Sequence, residues 1–336
     1  MGTHSVSERL LVRPANITRS MRKRDVFSRV VTSLLRASVA ISRSIFRGRG
    51  VGFACTVAAR LVGKKGKALF ELGNGGTFVV TADDRYWLQP LLLDGSYEPD
   101  LDNFLKRALT SRDVFLDCGA NLGLWSIAAA QVIRDPARVV AVEASLRTFS
   151  RLTENWEVNG RSFDMLHRAL SDVTGDKVSF FASTGDHASA TLVESLSPND
   201  AKPEPITTVS LLDLIRERTR GTASNSLTFV KVDVEGMERQ VLAPIDPAQH
   251  GDTVILYEDH GSNTTPITAF LLERGFAVAF MADDGTLEPI RPANLSMLDA
   301  LKVNPGRGYN LLAVAPKGAA ASRLARLYPQ LEIGPA

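Results

Sequence analysis

Cysteine is scarce: Cys55 and Cys118 are the only two in 336 residues, and neither stands in a C-x-x-C or zinc-finger spacing. A disulfide scaffold is thereby excluded, and a reducing compartment is expected. Histidine is thinly spread as well. His4, His167, His187, His250 and His260 form no H-E-x-x-H pair. Long apolar runs are missing: nothing uncharged approaches the roughly 20 residues that span a bilayer. The best stretch, 51–62, is short and contains Arg60. The first 20 residues lack the continuous apolar core of a secretory signal. These absences predict a cytoplasmic protein, with peripheral membrane contact as the variant.

Charge is nearly balanced overall, at +2, but its distribution is lopsided. Residues 1–70 hold 15 of the 39 Lys and Arg yet only two acids, Glu8 and Asp25. A basic arm therefore precedes an acidic body. Within the arm, residues 1–20 are polar and aperiodic. Over 21–47 the apolar positions Val30, Val31, Leu34, Leu35, Ile41 and Ile45 fall near one helical face, and Arg22, Arg29, Arg36 and Arg43 recur every seven residues on another. Such a helix suits weak association with an anionic membrane surface. Only Phe27 and Phe46 are interleaved with its basic residues, which argues against nucleic acid as the partner. The expected organisation is an extension over 1–66, one domain over 67–316 and a tail over 317–336.

From residue 114 onward, strands alternate with helices. Val114–Asp117, Arg138–Glu143, 163–168, 177–182, Leu227–Asp233, Thr253–Tyr257, Phe276–Phe280 and Tyr309–Val314 read as strands; 122–133 and 146–158 read as helices. This alternation predicts an α/β fold with a largely parallel sheet, in which ligands lie at the carboxyl ends of the strands. The residues just after each strand are therefore the informative ones.

The first such group is Asp117-x-Gly119-x-Asn121-x-Gly123, a glycine turn between a buried strand and a helix. Glycine permits a tight turn and a close backbone approach. Asp117 could accept from a ligand's ammonium group, and the helix start could receive a carboxylate. The second is Glu143, an acid ending the next strand about 20 residues on, where an acceptor for ribose hydroxyls belongs. A dinucleotide and S-adenosylmethionine both fit that pair. The glycine spacing is not the G-x-G-x-x-G of a pyrophosphate cradle, so S-adenosylmethionine is the expected ligand and a dehydrogenase is disfavoured. The third group is Lys231-Val-Asp233-Val-Glu235-Gly236-Met-Glu238, and the fourth is Glu258-Asp259-His260 at the end of the neighbouring strand. Together they place acids and one imidazole near an acceptor, with Asp259 read as a solvated loop charge.

The segments VFLDCGANLGLWS, VVAVEASLRTFSRLTENWEVNG and FVKVDVEGMERQVL, with GSYE at 95–98 and ALSD at 169–172, resemble the FkbM family of S-adenosylmethionine-dependent methyltransferases. The resemblance covers roughly residues 68–316. It implies a class I methyltransferase (Rossmann-like) fold, a seven-stranded, mostly parallel sheet with helices on both faces and its last strand antiparallel. It also implies that Asp117, Gly119, Asn121, Gly123 and Glu143 contact the cofactor, with adenine near Leu170 to Asp172. The implied acceptors are hydroxyls of sugars and natural products. A neutral hydroxyl needs a base. His260 is the first candidate, since an unperturbed imidazole titrates near pH 6.5, and Asp233 and Glu258 are the others. A hard divalent ion such as magnesium on Asp233, Glu235 and Glu258 is the disfavoured alternative. A non-catalytic binding protein and a nucleic-acid methyltransferase are the rival functions.

Overall fold

The computed structural model describes residues 66–331 other than 74, 83, 94, 183–191, 193–201, 235, 260–266, 297 and 299–308, together with residues 33 and 37. The amphipathic stretch 21–47 thus lies outside the described residues, apart from Ser33 and Ala37. So do Glu235 and His260. Among the described residues no helix is long and apolar enough to cross a membrane.

The chain separates into two compact units. One comprises Met1–Phe70 with Val79–Gly95, the other Glu71–Phe78 with Ser96–Ala336. The strands β1 (Lys67–Glu71) and β2 (Thr77–Thr81) form a two-stranded sheet, and α1 (Arg85–Leu93) lies in the first unit. Asp84 starts that helix by accepting from the Trp87 N–H at 3.4 Å.

The second unit holds most of the described elements. In chain order it contains α2 (Pro99–Ala108), β3 (Val114–Cys118), α3 (Leu124–Ile133), β4 (Val139–Glu143), α4 (Leu146–Val158), β5 (Asp164–His167), β6 (Ala169–Ser171), β7 (Lys177–Ala182), β8 (Lys202–Ser210), α5 (Leu211–Arg218) and β9 (Thr228–Val232). Then come α6 (Glu238–Leu242), β10 (Thr253–Glu258), α7 (Ile267–Glu273), β11 (Ala277–Met281), β12 (Leu287–Ile290), β13 (Asn310–Val314) and α8 (Ala319–Leu327). The main sheet has the order β12-β11-β13-β10-β9-β3-β4-β5. Strands β5, β4, β3, β9 and β10 are mutually parallel, and β13 runs antiparallel to both β10 and β11. The seven expected strands are present with that antiparallel insertion. An eighth, β12, is added to β11 by a hairpin. Strand β6 lies apart, in a three-stranded sheet with β8 and β7.

Continuous apolar runs explain the centre. Val114-Phe-Leu, Val139-Val-Ala-Val and Val254-Ile-Leu-Tyr are buried along their whole length, as strands covered on both faces must be. The chain proceeds β3, β4, β5 to one side, then returns to place β9 and β10 on the other. The strand order therefore reverses between β3 and β9, and the crevice of such a sheet opens at the carboxyl ends of those two strands.

Residues 317–336, expected as a tail, include α8, which buries Ala320, Ala321 and Leu324. Its Arg323 Nη1 reaches Asp113 Oδ2 at 2.6 Å, and Asp113 is 0% exposed. The same carboxylate accepts from Leu227 N–H at 2.8 Å and from Thr110 Oγ1 at 2.8 Å. One buried acid thus ties the starts of β3 and β9 to α8. In α3, Ala129, Ala130 and Ile133 face inward while Ala128 and Val132 are half-buried. In α4, Thr148 and Asn155 are buried beside Leu152, with Phe149 and Trp156 half-buried.

Candidate active site

The turn from β3 into α3 holds three consecutive left-handed alternations, at Gly119 (φ +86°), Asn121 (φ +50°) and Gly123 (φ +83°). The room left by each glycine is filled by the chain itself. A Cβ on Gly119 would overlap the Asp233 carbonyl oxygen, and one on Gly123 would overlap Leu152 Cδ1. Glycine was expected here for ligand approach. The structure first assigns it to close packing of β3 on the end of β9 and of α3 on α4. Asp233 N–H donates to the Cys118 carbonyl at 2.9 Å, which holds the two strand ends at that distance.

Asp117, 1% exposed, accepts from Ser126 Oγ at 2.6 Å through Oδ2. It thereby holds the first turn of α3. Its Oδ1 is buried with no hydrogen-bond partner, and so is Asn121 Oδ1. Burial pushes the Asp117 carboxyl above the usual range, against the pull of Lys231 and Ser126. Glu143 closes β4 and turns back to the same turn. Its Oε2 accepts from Asn121 N–H at 2.9 Å and its Oε1 from Ser145 N–H at 2.8 Å. Desolvation raises it to about 7, opposed by those backbone donors. Asp172 lies after β6 and is exposed. Gln240 Nε2 at 2.6 Å and Ser171 Oγ at 3.0 Å hold its carboxyl below the ordinary range.

Next to this group stands a lysine. Lys231 is paired in register with Asp117 on β3 and Leu256 on β10, so its side chain shares their face of the sheet. Only 5% exposed, it donates to Asp233 Oδ2 at 2.8 Å. The acids Asp233, Glu98 and Asp117 keep it charged in spite of desolvation. Asp233 is two residues along β9 from Lys231, and Glu258 two along β10 from Leu256, so period-two alternation sets both on this face. Glu98 immediately precedes α2. Its Oε2 accepts from Trp125 Nε1 at 3.0 Å. Behind it, Asp100 Oδ2 accepts from Asn310 N at 3.3 Å and Nδ2 at 3.2 Å.

Several expectations about the acids change. Glu238, expected near the acceptor, folds back onto its own turn and takes Gly236 N–H at 3.0 Å and Val234 N–H at 3.3 Å. Gly236 sits at φ +90°, so the pair closes the loop after β9. Asp259 is not a solvated charge. It is buried and caps α7, accepting from Thr268 Oγ1 at 2.6 Å and N–H at 3.2 Å. Asp233 and Glu258 do come to one face; His260 and Glu235 lie outside the described residues. Among the described residues no group of three or more His, Cys, Asp or Glu is placed to hold a metal ion. Two participants carried no sequence signal of their own. Glu98 was visible only as the last letter of GSYE, and Lys231 only as a cation within an apolar strand.

The methyltransferase FkbM domain model matches residues 117–278, from the acid of the glycine turn to β11. The hexuronic acid methyltransferase AglP of Haloferax volcanii is 29% identical over 206 residues, which is 60% of this chain and 77% of that protein. Among solved structures, a methyltransferase FkbM from Methylobacillus flagellatus KT aligns over 68% of this chain and 55% of its own, at 12% identity and a TM-score of 0.35. The precorrin-6y C5,15-methyltransferase of Geobacter metallireducens GS-15 aligns over 64% and 86%, at 14% identity and a TM-score of 0.33. Its glycine turn and strand-end acids thus fall in one sheet, within the stretch that matches the methyltransferase FkbM domain, and the chain is similar to methyltransferases over that stretch.

Proposed function

We propose that the enzyme transfers a methyl group from S-adenosylmethionine to a hydroxyl of a sugar or natural product. The observation that carries the donor site is the pair of buried acceptor atoms without partners, Asp117 Oδ1 and Asn121 Oδ1, in the turn beside Glu143. Buried polar atoms are nearly always hydrogen-bonded, so two orphans in one turn suit a ligand rich in donors. The ammonium group of the methionine moiety is such a donor for Asp117. Glu143 retains lone pairs beyond those given to Asn121 and Ser145, and these suit two ribose hydroxyls. The exposed, charged Asp172 suits the adenine amino group. Gly119 and Gly123 shape the turn that holds these groups together. When bound, S-adenosylmethionine supplies a methyl group already activated on a cationic sulfur, so the protein has chiefly to align and to exclude water.

The similarity to a hexuronic acid methyltransferase supports a glycan acceptor. Asp233 and Glu258 supply the polar wall in which a hydroxyl would be oriented. Asp233 is already engaged by Lys231, which fits an orienting role better than proton removal.

Glu143→Ala tests the donor site. Loss of a hydrogen bond to a charged group costs about 1.5–3 kcal/mol, roughly ten- to a hundredfold in affinity. Titration calorimetry of S-adenosylmethionine onto the folded variant reads that loss directly; wild-type affinity would remove Glu143 from the site. Protonation should act in the same direction. Because the carboxyl is raised to about 7, the wild type should bind the donor more weakly as pH falls below that value, and Glu143→Ala should lose this dependence.

A further inference from the structure

We propose that Glu98 is a further catalytic residue, the group that takes the proton from the acceptor's hydroxyl. The proposal rests on the methyl-transfer reading above and adds to it the identity of the base. Three observations converge. Glu98 stands on a left-handed backbone, φ 46° and ψ 68°, a conformation that a residue with a side chain adopts at a cost, and its carboxyl does not cap α2. Trp125 Nε1, from the first turn of α3, grips Oε2 and fixes the carboxyl's direction. The carboxyl belongs to the same charged group as Asp117, whose buried Oδ1 has no partner, through the Lys231 that both of them feel. Asp117 is the group assigned above to the donor, and Glu98 is near enough to the Lys231, Asp233 and Glu258 cluster beside it to interact with each of their charges.

The groups facing Glu98 set its proton affinity. Lys231 on β9 lowers it, while Asp233 after β9, Glu258 on β10 and Asp100 on α2 raise it. Desolvation outweighs them all, and the carboxyl is pushed up to about 8. A base with that affinity is far better matched to a hydroxyl than an ordinary carboxylate is. In the step, the acceptor's O–H proton passes to a Glu98 oxygen as the acceptor's oxygen forms its bond to the methyl carbon. The bond broken is the donor's carbon–sulfur bond, whose electron pair remains on sulfur. Lys231, bonded to Asp233, keeps the surrounding acids from repelling one another and is a positioning residue.

Glu98→Gln preserves the hydrogen-bonding shape and removes the proton acceptor. With S-adenosylmethionine and a panel of hydroxyl-bearing hexuronic acids and neutral sugars, turnover should fall 10²- to 10⁴-fold. Calorimetric affinity for the donor should be unchanged. The wild-type kcat/KM should rise with pH through about 8, and the variant should lose that limb. Two readouts need no acceptor. In protein labelled with ¹³C at glutamate side-chain carboxyls, one resonance should titrate near 8 and vanish in Glu98→Gln. The sign of the stability change follows from the raised value: the wild type gives up stability as pH climbs from the ordinary carboxylate range through about 8, so Glu98→Gln should melt higher than wild type above pH 8. A purely structural Glu98 would give a variant that melts lower at every pH. A wild type that fails to bind S-adenosylmethionine overturns the donor reading. A wild type that binds it but shows no carboxyl titrating near 8, or a Glu98→Gln that keeps its turnover and pH limb, overturns the assignment of Glu98 alone.

Discussion

Lys231→Met is expected to destabilise the protein by about 3–5 kcal/mol at neutral pH, the usual cost of removing one partner from a buried charged group. The lysine is the cation shared by Asp233, Glu98 and Asp117. Methionine fills much the same volume, so the loss is electrostatic rather than steric. The pH dependence identifies it. In wild type the lysine's proton affinity is raised, so its contribution is fully present below the unfolded value near 10.4 and persists across the physiological range. In the variant, the orphaned acids are relieved by protonation, so the deficit should shrink as pH falls from 8 to 5. Urea unfolding of both proteins at the two pH values measures this. A deficit independent of pH would mean that Lys231 acts by packing its stem, not by its charge.

The second large effect is expected at Gly119. Gly119→Ala meets two penalties: a positive φ, which costs an L-residue about 1–2 kcal/mol, and overlap of the new Cβ with the Asp233 carbonyl oxygen. Backbone on both sides leaves no flexible atom to yield. A loss on the order of 4–5 kcal/mol, among the largest that single substitutions produce, is the expected outcome. Gly160 is the internal control. Its φ of +69° is similarly left-handed, but nothing lies within 4 Å of where a Cβ would point. Gly160→Ala should therefore show the conformational penalty alone. Equal losses in the two variants, measured by denaturant unfolding, would show that β9 can retreat from β3 and that the close approach is not a constraint.

These two sites illustrate how far local sequence carries. The α/β alternation, the strands that build the parallel centre and the acid at each strand end are local features, and each was readable from apolar runs and the residue after them. Gly275, past the end of α7, is a local stop of the same kind: it sits at φ +85° with its N–H on the Leu272 carbonyl. Strand β8 was obscured because KPEPITTVS carries two prolines, which argue against a central strand. In the structure β6 meets β8 only at Thr208–Ser210, so Pro203 and Pro205 fall where β8 pairs with β7 on one side. Strand β12 is short and belongs to a hairpin with no strong alternation. The active-site acids were harder still. Asp259 and Glu258 are neighbours in sequence, yet one caps a helix and the other faces Lys231, a distinction that only the direction of the pleat decides. Glu98 meets Lys231 from 133 positions away, and no spacing rule links them.

The tie between Arg323 and Asp113 bears on the order in which the molecule is made. The two residues are 210 positions apart. At 5–20 residues per second, a ribosome delivers the arginine roughly 10–40 s after the aspartate. Until then the Asp113 carboxylate has its Thr110 and Leu227 donors but lacks its cation. The amino-terminal ends of β3 and β9 therefore gain this counter-charge late, from α8. A chain halted before α8 should leave the Asp113 carboxylate without its cation, at the junction of β3 and β9.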